Sequence, residues 1–188
     1  MEAIGQVDES TWFFRNVVKR RVTLGFVAGV LFVLFACPSR ASVFLGFWLA
    51  LAGEALRTWS SGIIVKNKAL ATEGPYRLVR NPLYVGNFLI GLGVAVMGGR
   101  LLLIALFLAG FIPVYRALVA KEEKYLLGVY GELFEAYCRE VPRFLPKRFP
   151  WPLPPAPYDA ARMLRKHREW QAWLGVYAVT LYLLLRAG

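Results

Sequence analysis

The stretch EGPYRLVRNPLYVGNFL (73–89) decides how this chain is read. Gly74-Pro75 is turn chemistry. Pro82 has no N–H to lose and suits the first turn of a helix. Residues 81–99 carry no charge and match the length of about 17–25 residues that a bilayer-crossing helix needs. Arg77 and Arg80 therefore sit at a membrane surface, just ahead of a helix amino terminus. Free backbone N–H groups, the positive end of the helix dipole and two guanidinium groups together suit a carboxylate or a phosphate. That anion is either a lipid headgroup or a ligand; both readings stay open. Gly86, Gly91 and Gly93 either let a neighbouring helix approach closely or leave room for a flat ring against the backbone.

Composition extends the membrane reading to the whole chain. Of 188 residues, 57% are apolar before the glycines are counted, and 23 Lys and Arg face only 12 acids for a net charge of +11. The mean hydropathy is +0.46. Such a chain is too apolar to be disordered and more apolar than ordinary soluble enzymes. Further charge-poor stretches lie at 22–39, 41–56 (tolerating Glu54), 101–115 and 170–185. The expectation is an all-α, polytopic membrane protein of five spans in one domain, 1–188. Basic residues test the count, because Lys and Arg favour cytoplasmic loops. Of the 23, only Arg40, Arg100 and Arg186 fall outside the amino-terminal segment and the stretches 57–80 and 116–170. The amino terminus is then cytoplasmic, the carboxyl terminus lies on the other side, and the first span is retained rather than cleaved. Topology and anionic headgroups account for the charge, so nucleic acid is not an expected partner.

Cys37 and Cys138 are far apart and His167 is the single histidine, so no metal site or histidine dyad is expected. Glu54 and Arg57 are three residues apart and able to pair on one helical face, as a salt bridge ending the span or as the polar wall of a site. Arg116 is expected to open a helix running to about Glu140. Within it Glu122 is flanked at four residues by Leu118 and Leu126, and Glu123 by Val119 and Leu127. Carboxylates so placed need a cationic partner, either a protein arginine or a ligand ammonium group. Seven of the 11 prolines fall in 142–157, which predicts an extended strap on the cytoplasmic face, followed by a basic helix over 158–169.

Taken in order, Gly74-Pro75-Tyr76, Arg80-Asn81-Pro82, Tyr84 and Gly86, then Glu122-Glu123, Leu126, Tyr130-Gly131-Glu132, Tyr137 and Val141-Pro142-Arg143-Phe144-Leu145-Pro146 carry a resemblance. The chain resembles the isoprenylcysteine carboxyl methyltransferase and phospholipid methyltransferase superfamily over residues 73–146. The resemblance implies S-adenosylmethionine bound at the cytoplasmic face, within segment 116–169, and a lipophilic substrate entering from the bilayer. It places the cofactor among Tyr76, Arg80, Asn81, Pro82, Tyr84, Gly86, Gly91, Glu122 and Glu123. In that reading the two glutamates take the cofactor's ammonium group and Arg80 its carboxylate. Tyr76, Tyr84 and Tyr137 offer ring faces to its sulfonium, and Arg139 or Arg143 holds an acceptor carboxylate, so that Arg143, Arg139 and Tyr137 form the catalytic set. Asn81 stands where the carboxyl methyltransferases carry histidine, and Asn81-Pro82-Leu83-Tyr84-Val85-Gly86 is similar to phosphatidylethanolamine N-methyltransferase. The alternatives to carboxylate methylation are therefore amine methylation of a phospholipid and a non-catalytic lipid-binding scaffold.

Overall fold

The computed structural model of the chain describes residues 21–64, 69–147 and 156–187. Within them run α1 (Arg21–Phe35), α2 (Arg40–Ile63), α3 (Pro82–Met97), α4 (Leu101–Tyr130), α5 (Glu132–Glu140) and α6 (Glu169–Arg186). A 3₁₀ turn at Gly74–Arg77 precedes α3, and a π turn at Arg162–Lys166 precedes α6. No strand occurs among the described residues.

The starts of α2 and α3 have local causes. Ser39 and Ser42 form a reciprocal capping box, each hydroxyl accepting from the other's backbone N–H at 3.1 and 2.9 Å, and this opens α2. The Ser42 hydroxyl also lies 3.2 Å from the Met97 carbonyl, which ties the start of α2 to the end of α3. Pro82 occupies the first turn of α3 with Asn81 as the capping residue.

Backbone contact between α2 and α3 holds the bundle together. Gly46, Ala50 and Gly53 on α2 face Gly86 and Gly93 on α3. A Cβ at Gly53 would stand 2.7 Å from the Gly86 carbonyl oxygen, and one at Gly93 would stand 2.6 Å from the Ala50 nitrogen. Small residues are thus required for the two helices to touch along their length. Around this contact Ala36, Val43, Met97, Leu103, Val176 and Leu183 form one buried cluster that draws in α1, α4 and α6. A second, smaller cluster of Phe134, Tyr137 and Val141 packs α5 back on the end of α4. Outside these cores the apolar surface is broad: Leu34, Phe44, Leu45, Trp48, Leu106, Leu174 and Leu181 are all more than half exposed, more apolar surface than soluble monomers usually show. Among the described residues α4 is the helix long and apolar enough by itself to cross a membrane, and α3 is a shorter apolar helix.

Two expectations need correction. The helix expected to open at Arg116 is the second half of α4, which runs unbroken for 30 residues past Pro113 and Arg116. The break comes instead at Gly131, whose φ of 50 and ψ of −126 suit glycine and few other residues. The stretch 116–130 contains no helix breaker apart from a tolerated Gly128, so nothing stops the helix where the apolar run ends. The basic helix expected over 158–169 shrinks to the π turn and its neighbours, because Arg168 adopts a left-handed conformation that ends it. Of the proline strap, 148–155 lies outside the described residues, as does the amino-terminal segment 1–20.

The glycine contact sets a stability test. Gly93→Ala should destabilise the protein by about 1–3 kcal/mol through forced separation of α2 and α3. Gly128→Ala, whose Cβ would enter open space, should be neutral or slightly stabilising. Thermal unfolding of the purified protein in a neutral detergent reads both, and equal melting temperatures for the two variants would contradict the packing argument.

Candidate functional site

Polar side chains gather where the 3₁₀ turn, the start of α3, the polar half of α4 and the segment after α5 meet. Two backbone links assemble them. The Arg80 N–H donates to the Pro142 carbonyl at 2.8 Å, and the Tyr137 hydroxyl donates to the Tyr76 carbonyl at 2.6 Å. The segment following α5 is thereby attached to the turn that precedes α3.

Glu123 lies at the centre, with 1% of its surface exposed. Arg143 approaches it from two nitrogens, with Nη2 at 2.6 Å and Nε at 3.1 Å from Oε2. Arg80 Nη1 lies 3.3 Å from Oε1, and Asn81 Nδ2 donates to the same oxygen at 3.3 Å. Of the two partners left open by the sequence for this carboxylate, the structure supplies protein arginines. A buried carboxylate is stable only when paired in this way. Arg80 Nη1 also lies 2.8 Å from the Cys138 sulfur.

Glu122, half-buried on the same turn of α4, has a different setting. Its Oε2 accepts from the Tyr84 hydroxyl at 2.8 Å. Close by are two buried donors with no hydrogen-bond partner among the described residues, the Tyr76 hydroxyl and Arg80 Nε. Burial raises the Tyr76 phenol well above its ordinary pKa, and the charge of Glu122 pushes in the same direction. The Tyr137 phenol is also raised by burial, against the lowering pull of Arg80. Burial likewise raises the Cys138 thiol, opposed by the same arginine. The result is one carboxylate with no ion pair among the described residues, and near it two buried donors without a hydrogen-bond partner there. Unmet buried donors are costly, about 1–3 kcal/mol each.

The structure brings together Tyr76, Arg80, Asn81, Tyr84, Glu122, Glu123, Tyr137 and Arg143. Pro82 lies buried at the foot of α3. Gly86 and Gly91 point away from the cluster: a Cβ on Gly86 would strike Gly53 and Arg57 of α2, and one on Gly91 the Phe107 ring of α4. Arg139 is exposed on α5 and makes none of the cluster's contacts. From Tyr84 a ladder of rings descends the α3–α4 hairpin. Tyr84 meets Tyr115 edge-on at 5.6 Å, Tyr115 stacks on Phe111 at 3.7 Å, and Phe107 and Phe88 continue it.

Sequence reasoning missed two contacts. Cys138, read only for disulfides and metals, touches Arg80; its position next to Tyr137 was the available signal. Arg57 does not pair with Glu54. It binds Glu169 through two nitrogens at 3.0 Å each, and Asn87 from a third. No local pattern connects Arg57 with Glu169, 112 residues further along.

Comparison with known proteins places the chain in a family. The family model described as phospholipid methyltransferase matches residues 24–133, and the chain belongs to that family. It is 38% identical over 105 residues to the cobalt-zinc-cadmium resistance protein CzcN of Cupriavidus metallidurans, covering 55% of this chain and 47% of that protein. It is 34% identical, with the same coverage, to the nickel-cobalt-cadmium resistance protein NccN of Alcaligenes xylosoxydans xylosoxydans. Similarity to the protein-S-isoprenylcysteine O-methyltransferase of Schizosaccharomyces pombe is 33% over 81 residues, 43% of this chain and 34% of that one. The chain thus spans about half the length, or less, of the curated relatives it matches. No solved structure matches it.

Two outcomes test the cluster. Glu123→Ala should cost about 3–5 kcal/mol, because it strands two guanidinium groups in a buried site, whereas Glu122→Ala should cost under about 1 kcal/mol; denaturant unfolding separates them. In a spectrophotometric titration, the Tyr76 and Tyr137 phenols should stay protonated where exposed phenols ionise, near pH 10. Their folded-state pKa values are raised, so their contribution to stability is complete below about pH 10 and is lost as pH rises above it. Ionisation of all nine tyrosines near pH 10 without unfolding would contradict the burial.

Proposed function

We propose that this protein transfers a methyl group from S-adenosylmethionine to a lipophilic acceptor at the cytoplasmic face of a membrane. The carrying observation is Glu122, which has no ion pair among the described residues, together with the unmet donors Tyr76 Oη and Arg80 Nε. Such a set complements a zwitterion: Glu122 suits an ammonium group, while Arg80 and the backbone N–H groups opening α3 suit a carboxylate. Family membership supports the same reading. When bound, S-adenosylmethionine supplies an electrophilic methyl group on a sulfonium cation, for which the Tyr84 and Tyr76 rings are suitable neighbours.

The remaining roles follow from position. Glu123, held by Arg80 and Arg143, orients Arg80 and fastens the segment after α5 over the site. Tyr137 fixes the 3₁₀ turn through the Tyr76 carbonyl. The favoured acceptor is a carboxylate on an isoprenoid-like or other long-chain lipid, because a carboxylate nucleophile needs no general base and the chain has a single histidine, remote in sequence. Arg143, the cluster arginine with the more exposed side chain (22% against 9% for Arg80), is assigned to that carboxylate, and the ring ladder below Tyr84 to the apolar chain. In-line approach and exclusion of water are the main demands of methyl transfer. In this proposal α1, α2, α3, the first half of α4 and α6 cross the bilayer, with the amino terminus inside and the carboxyl terminus outside. The 20-to-3 division of basic residues supports that orientation.

A second reading, amine methylation of a phospholipid, is favoured by Asn81 in place of histidine and by the family's description. One experiment separates the two. Purified protein is incubated with methyl-labelled S-adenosylmethionine and a total lipid extract, and the labelled lipid is identified by mass spectrometry. A base-labile methyl ester is the expected product; a base-stable N-methyl headgroup would move the assignment to the amine. Saturable cofactor binding should weaken about tenfold in Glu122→Gln and in Tyr76→Phe, a loss of about 1.4 kcal/mol each. Absence of saturable binding to the unaltered protein would identify a scaffold and end the proposal.

A further inference from the structure

A second feature lies away from the Glu122 cluster and shares no residue with it. Between α2, the residues preceding the π turn, and α6 is an open groove of about 530 Å³. Its lining includes Glu54, Thr58 and Trp59 of α2, with Tyr158, Trp173 and Tyr177 opposite. Hydrogen bonds hold two of the rings in place. Trp173 Nε1 donates to Thr58 Oγ1 at 3.1 Å, and the Tyr158 hydroxyl donates to the Thr58 carbonyl at 3.4 Å. Tyr158 and Tyr177 remain 45% and 50% exposed, so their ring faces are open to an occupant.

Glu54 carries the argument. It is 4% exposed, and its Oε1 has no hydrogen-bond partner among the described residues. The neighbouring cation is already engaged, since Arg57 is bound through two nitrogens to Glu169 and through a third to Asn87. Glu169 is itself 3% exposed. Glu169 therefore takes the nearby guanidinium, and Glu54 stands on the groove wall as a buried carboxyl group without an ion pair among the described residues. An isolated buried carboxylate is strongly disfavoured unless a cation or a donor meets it. Aromatic rings attract the same kind of partner through their negative faces. An N–H donor satisfies Oε1 where a quaternary nitrogen does not, which selects a protonated amine. Exposed apolar residues along α6 beside the groove, Leu174 and Leu181 among them, accommodate an attached hydrocarbon chain.

We propose that this groove binds the protonated amino group of an amphiphile, with Glu54 as its hydrogen-bond acceptor and counter-charge and Trp59, Tyr158, Trp173 and Tyr177 around it. The site is for binding, and no transfer step is assigned to it. It does not depend on the methyl-transfer reading. Two sources share this chemistry, a lipid with a primary amine headgroup and a free long-chain amine.

The test uses the full chain in neutral maltoside micelles, with octylamine, octyltrimethylammonium and octanoate as probes in calorimetric titration. Octylamine should bind saturably, octyltrimethylammonium more weakly, and octanoate not at all. Glu54→Gln should weaken octylamine about tenfold or more. Tyr177→Leu, at a half-exposed position that tolerates change, should weaken it severalfold and decides the matter if the Glu54 variant does not fold. Phosphatidylethanolamine added to the micelles displaces octylamine if a lipid headgroup is the natural source and leaves it bound if a free amine is. Absence of saturable octylamine binding, equal binding of octanoate, or unchanged affinity in both variants would overturn the proposal.

Discussion

The ionic clasp on Glu123 is the constraint on which the rest of the site depends. A carboxylate with 1% exposure draws in Arg80 from the foot of α3 and Arg143 from the segment after α5. The three residues come from three separate pieces of chain. Each alone would be an uncompensated charge in an apolar setting; together they fix where those pieces meet. Tyr76 and Glu122 lie beside each other because this pairing sets the register between α3 and α4. Removing the acid therefore has a different meaning from removing its neighbour: one is architecture, the other is available for chemistry.

Below the clasp, the α2–α3 contact performs the corresponding task for the apolar half of the molecule. Gly46, Gly53, Gly86 and Gly93 allow main chain to touch main chain; in the proposed topology this matters because apolar burial cannot drive helices together in a bilayer. The alternative use of these glycines, as room for a ring, is not the one the backbone shows. Gly91 opens toward Phe107 and serves the α3–α4 hairpin in a similar way.

Much of this was legible from local sequence. Pro82 after Asn81 announced the start of α3, and the bracketing of Glu122 and Glu123 by leucines and valines announced carboxylates in need of a cationic partner, of which one meets protein arginines. The sequence could not say which one, since both have apolar neighbours at helical spacing; the direction of Arg143 decides it, and that follows from how α5 folds back. Helix limits were less legible where apolar and amphipathic halves join without a breaker, so α4 reads as two elements although it is one. The partnership of Arg57 with Glu169 was invisible, because Glu54 lies at ideal local spacing and the true partner depends on where α6 docks. Local patterns find elements and candidate groups. They do not rank competing partners.

The unbroken course of α4 has a consequence for depth. A helix rises about 1.5 Å per residue, so Glu122 and Glu123 stand roughly 10–12 Å beyond Tyr115 on a single stiff rod. In the proposed topology that distance corresponds to the headgroup layer and falls short of open cytosol. Gly131 then turns the chain back instead of letting it continue outward. An acceptor anchored by its tail would meet the acids without being lifted out of its leaflet, and the rod would act as a fixed measure of how far its head must rise.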